Sequence, residues 1–145
     1  MKALEVAKYV VTKCKKEECP ISNLQLQKIL YYIQHDFLKK NNKPLFDDDF
    51  EAWKFGPVVP SVYYEYSYLG ALKIYEEYDN YDKIIQNLGD NILLINSTVC
   101  KKRNMDPWML VSETHAKGKA WDIIFKDGAG FGDVIPKQQI KDNAF

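Results

Sequence analysis

The side chains able to do chemistry are few, and their spacing pairs them poorly. His35 and Asp36 are neighbours on a helical stretch, and helical neighbours point about 100° apart, so one ion cannot take both without help from elsewhere. His115 has no second histidine or cysteine nearby, so no zinc-type ligand set forms and no metal is expected. Cys100 and His115 could meet only through the fold, with Asp106 or Asp122 orienting the imidazole. No strained turn or oxyanion-type glycine stands beside Cys100. Gly128, Gly130 and Gly132 spell GAGFG, yet the lysine and the preceding strand of a phosphate-binding loop are missing. That run reads as a connector, and no cofactor is expected. Two acidic clusters, Asp47–Asp49 with Glu51 and Glu76–Glu77 with Asp79, lack EF-hand spacing and read as solvated loops.

Composition narrows the field further. A chain of 145 residues suits one domain over 1–145. Lys+Arg and Asp+Glu both number 20, a balance that argues against nucleic-acid binding. The basic clusters Lys13–Lys16 and Lys101–Arg103 read as solvated helix ends. No apolar run approaches the roughly 20 residues of a membrane span, and the N-terminus mixes Glu and Lys through its apolar positions, unlike a secretory signal. Three cysteines, Cys14, Cys19 and Cys100, give an odd count without a CxxC pair. A disulfide framework is therefore not expected, and a reducing cytoplasm is.

Helices must position whatever this chain uses. Ala3, Val6, Ala7, Val10, Val11 and Cys14 form an apolar stripe over 2–17, broken at Cys19–Pro20. Ser22 and Gln25 form a capping box for a second helix, whose Leu26, Ile29, Leu30, Ile33 and Phe37 give the cleanest helical pattern in the chain. It should end at Asn41–Asn42. Phe50–Phe55 is the one stretch that predicts β structure, paired with Leu45–Phe46 in a small sheet or hairpin. Further helices are predicted over Pro60–Leu69, around Ile84–Leu88 and over 91–103. Another starts at Asp106–Pro107 and ends at Thr114–His115, and two more contain Trp121–Phe125 and Ile140. The expected fold is mainly α, a compact domain of six to seven helices with a small β element around residues 45–55.

The middle of the chain carries the recognition signal. EAWKFGPVVPSVY (Glu51–Tyr63) joins an extended aromatic run to a helix through Gly56, with Pro57 or Pro60 fixing the helix start. Nine of the ten tyrosines fall between Tyr31 and Tyr81. Each buried phenol needs a partner for its hydroxyl, whereas tyrosine and tryptophan are favoured at protein interfaces. Half of these rings serving as core, or an aromatic recognition surface, are the two readings.

The run LQKILYYIQHDFLKKNNKPLFDDDFEAWKFGPVVPSVY (Leu26–Tyr63) resembles the Panacea antitoxin domain, also called the SocA-like or phage-associated GepA-like domain. Its signature falls here on Leu26, Gln27, Leu30, Tyr31 and Gly56. A second signature falls on Thr114, His115 and Trp121, where Ala120 replaces the family's proline. The resemblance implies a helical domain and a cognate protein toxin as partner. It further implies a role in neutralising that toxin by direct contact, one member type delivering its toxin to a protease. Trp53, Phe55, Pro57, Val58, Pro60 and Tyr63 are the expected scaffold and edge of the contact surface, with Tyr64, Tyr68, Tyr75 and Tyr78 as partner-specific contacts. Two alternatives stand beside it: a small hydrolase or transferase using His115 with Cys100 or Thr114, and a phage-encoded inhibitor of a host enzyme.

Overall fold

Stripe and capping box both become helices. In the computed structural model, which describes residues 1–145, Ala3–Lys16 forms α1 and Asn23–Asn41 forms α2. Ser22 starts α2 through the full capping box: its hydroxyl accepts from the Gln25 backbone, and the Gln25 side chain accepts from the Ser22 N–H at 3.0 Å. Asn42 ends it in the left-handed conformation (φ 55°), which asparagine tolerates at little cost.

The strand starts where the alternation places it but ends at Trp53, as Phe50–Trp53 (β1), with Lys54 and Phe55 forming a turn, and its partners differ from the expected ones. β1 pairs antiparallel with Gly56–Val58 (β2) on one side and with Val134–Ile135 (β3) on the other. Leu45 and Phe46 are unavailable for a ladder because the buried Gln34 amide holds both. The Leu45 N–H donates to Gln34 Oε1 at 2.9 Å, and Gln34 Nε2 donates to the Phe46 carbonyl at 2.8 Å. One side chain thus satisfies the two backbone groups that pairing would have used.

Pro60–Tyr66 (α3) follows, extended by a short 3₁₀ turn to Leu69. Pro60 takes the N-terminal turn of α3, whereas Pro57 lies inside β2. Then come Tyr81–Leu88 (α4), Ile92–Lys102 (α5), Pro107–Thr114 (α6), Ala120–Phe125 (α7) and Lys137–Asn143 (α8). Asp106 caps α6, its carboxylate accepting from the Trp108 N–H at 2.8 Å.

Most of the fold is laid on α2, which packs against α1, α3, α5, α6, α8 and β2, while α4 lies on α1 and α7 on β1, β3 and α8. Its apolar side chains join one connected core that runs from Ala3 to Ala144, so both ends of the chain share the same interior. Four of the ten tyrosines are core: Tyr9, Tyr31, Tyr32 and Tyr66. Tyr9 donates to Asn96, Tyr32 to Glu113, and Tyr66 shares a 2.5 Å hydrogen bond with Tyr78. The Tyr31 hydroxyl is buried without a partner. No helix is long and apolar enough to cross a membrane.

Candidate functional site

The β1–β2 hairpin and the start of α3 form a corner, and polar side chains of α2 hold it from beneath. Asn23 Nδ2 donates to the Tyr63 carbonyl at 3.1 Å, and Gln27 Oε1 accepts from the Val59 N–H at 3.0 Å. Gln27 is itself oriented by donating to Asn23 Oδ1 at 3.0 Å. Lys28 Nζ donates to the Pro57 carbonyl at 2.9 Å. Asn23 and Gln27 lie one turn apart on one side of the helix, and Lys28, about 100° further round, reaches the hairpin from beside them.

Proline suits its place in β2. Pro57 lies opposite Ala52, whose N–H and carbonyl both bond across to the Gly132–Asp133 segment on the other side. The N–H that proline lacks is not missed in the ladder, and its carbonyl is left for Lys28.

Lys28 is fully buried, and burial pulls its ammonium down from its ordinary value to about 7. Gly56 is required directly above it. Its φ is +115°, and a Cβ there would stand 2.8 Å from Thr114 Oγ1 and 2.9 Å from Lys28 Cε. The signature residues of the C-terminal half close the same corner. Thr114 is buried and donates to the Val111 carbonyl, while the Trp121 indole donates to the Trp53 carbonyl at 2.8 Å. His115 stacks on Trp121 with ring centroids 3.7 Å apart, and Trp121 stacks on Phe125 in turn. Burial, with Lys28 nearby, holds the His115 imidazole below its usual pKa, and its Nε2 has no partner.

The outer face of the corner is aromatic. Phe55 (47% exposed) meets Trp108 (58%) edge to face at 5.5 Å. Trp53 contacts Tyr63 at 4.9 Å, Phe131 at 5.9 Å and Tyr64 at 6.1 Å. These rings frame a pocket of about 380 Å³ bounded by α2, the hairpin, α3 and the first turn of α6. That volume lies in the range of ordinary ligand pockets, roughly 300–1,000 Å³.

Of the residues expected to touch a partner, Trp53, Phe55, Val58 and Tyr63 line this pocket, and Tyr64 adjoins them. Pro57 and Val58 are buried, and Pro60 is half-buried at the start of α3. Tyr68 and Tyr75 are exposed outside the pocket lining, the Tyr68 hydroxyl engaging Glu76. Tyr78 turns inward to Tyr66, with Lys8 Nζ 5.0 Å from its ring centre. The signature residues Leu26, Gln27, Leu30 and Tyr31 are all buried.

Sequence reasoning missed Lys28, Asn23, Lys54, Trp108 and Phe131 at this site. Trp108 and Phe131 carried a weak signal, since each is a large aromatic that no helical stripe accounts for. Nothing in the pattern marks a lysine as buried.

Cys100 is exposed on α5, close enough to Tyr9 and Lys13 to bear on their titration, and no hydrogen bond joins it to His115. His35 Nδ1 contacts the Ile140 carbonyl, and Asp36 accepts from Thr98. No group of three or more His, Cys, Asp and Glu side chains is placed to hold a metal ion.

Comparison with known proteins adds two findings. The family described as "Antitoxin SocA-like, Panacea domain" matches residues 26–122. The chain is also 34% identical over 154 residues to antitoxin SocA of Caulobacter vibrioides (strain NA1000 / CB15N), covering 97% of this chain and 80% of that protein. No solved structure matches it.

Proposed function

Because this chain belongs to the SocA-like Panacea antitoxin family, we propose that it neutralises a cognate protein toxin by binding it directly, without catalysis, through the aromatic corner. The observation that carries this reading is an exposed aromatic shelf mounted on a buried, hydrogen-bonded underside. Phe55, Trp108, Phe131 and Tyr64 leave large rings in solvent, and Asn23, Gln27 and Lys28 grip the backbone of the hairpin and α3 that carries Phe55 and Tyr64. Rings already held in place lose little freedom on binding, which is how interface anchors gain affinity.

The toxin is expected to be the product of the adjacent gene. Co-expression tests this: the neighbour alone should arrest growth, the pair should grow, and the pair carrying Phe55→Ala with Trp108→Ala should arrest again. A neighbour that is harmless alone, or toxic in the presence of this protein, removes the antitoxin reading. The same contact serves either occlusion of the toxin or its hand-over to a protease. Toxin half-life in the rescued cells separates these, being unchanged in the first case and shortened in the second.

A further inference from the structure

The pocket at the corner has a chemical bias. Its lining includes two lysines, Lys28 and Lys54, two amide side chains, Asn23 and Gln27, and no carboxylate. Lys28 is fully buried with Nζ held by the Pro57 carbonyl, so its stem forms pocket wall while its ammonium is out of a ligand's reach. Lys54 is different. It is exposed on the two-residue turn between β1 and β2, with Nζ 5.4 Å from the Phe55 ring centre, and it makes no ion pair within the chain. The nearby Glu51 carboxylate accepts from the Trp53 indole N–H at 3.1 Å.

We infer that the pocket receives one large apolar side chain of the partner protein carried on an acidic segment, with Lys54 at the mouth pairing with a carboxylate beside that anchor. This rests on the toxin-binding reading of the corner and specifies what the toxin must present there. The pocket walls supply apolar contact with Trp53, Phe55, Val58 and Trp108, which sets affinity. Lys54, unpaired in the free protein, selects the flanking charge without first breaking an internal ion pair, so the cation is available to steer and discriminate. An exposed pair of this kind is salt-sensitive and modest in strength.

Blocked pentapeptides test this without the toxin. Acetyl-Gly-Asp-Phe-Asp-Gly-amide, its Asn-Phe-Asn counterpart and its Asp-Ala-Asp counterpart are titrated into the isotopically labelled protein, following the indole N–H signals of Trp53 and Trp108. The acidic phenylalanine peptide should shift both signals and bind roughly threefold to tenfold more tightly than the amide version at low salt. That preference should fade at high salt and vanish in Lys54→Glu, whose melting temperature should match the parent because the side chain lies in solvent. The alanine peptide should produce no shift at either indole. Equal binding of the acidic and amide peptides overturns the inference, as does a preference that survives Lys54→Glu, or an absence of shifts at both indoles. None of these outcomes touches the co-expression result, so the two readings fail separately.

Discussion

The two faces of the corner are built from opposite materials. Beneath it, Asn23, Gln27 and Lys28 are polar, buried and hydrogen-bonded to backbone atoms of residues 57, 59 and 63. Above it, Phe55, Trp108, Phe131 and Tyr64 are apolar or nearly so, and exposed. This inverts the usual arrangement, in which polar groups face water and rings face the core. Under the proposed toxin-binding reading, the inversion is a division of labour: the underside fixes the backbone, and the outer face meets the partner. Underside substitutions should therefore cost stability, and outer-face substitutions should cost binding.

The largest effect on stability is expected at Gly56. In Gly56→Val the new Cβ collides with Thr114 and Lys28 while the backbone remains at φ +115°. Together these should cost roughly 3 kcal/mol or more. Chemical denaturation measures it, and a variant as stable as the parent would break the comparison at its strongest point. Next is Gln27→Ala, which strands the buried Val59 N–H. A loss of about 1–3 kcal/mol is expected, as for other buried groups left unpaired.

Lys28 contributes through pH. Its folded pKa is near 7, below the ordinary 10.5. Between those values the unfolded chain holds more protons than the folded one, so stability rises with pH in that window. Below pH 7 both states are protonated, and the burial penalty is felt in full. Toward pH 9 and above, Cys14, raised to about 11, and the buried tyrosines Tyr31, Tyr32 and Tyr66, all raised, oppose the trend. Unfolding free energy should thus climb between pH 7 and 9 by about 1 kcal/mol per pH unit. Lys28→Met should flatten that slope, and an unchanged slope would remove the buried amine as its cause. The smallest effect is expected for Phe55→Ala. Its ring is half in solvent, so the variant should stay within about 0.5 kcal/mol of the parent, the usual range for exposed positions.

Much of the underside's frame was legible in the sequence. Ser22–Gln25, Asn42, Asp106–Pro107 and the Leu26–Phe37 stripe depend on local rules, and each fixed an element where it stands. The sheet was only half legible because β1 finds one partner across a two-residue turn and the other some eighty residues later. Leu45–Phe46 resembled a partner until Gln34 claimed its backbone, a contact that only the tertiary fold creates. For the site, the hairpin aromatics announced themselves by type. Trp108 and Phe131 reach the same pocket from distant elements, and no local pattern relates them to Trp53.

The most direct test of the division of labour is the dissociation constant of purified Phe55→Ala/Trp108→Ala for the toxin, measured beside its melting temperature. Two central aromatic anchors removed together should weaken binding by roughly a hundredfold or more, with the melting temperature close to the parent's. Parent-like affinity in that variant would contradict the account, because the rings it assigns to recognition would then be doing none.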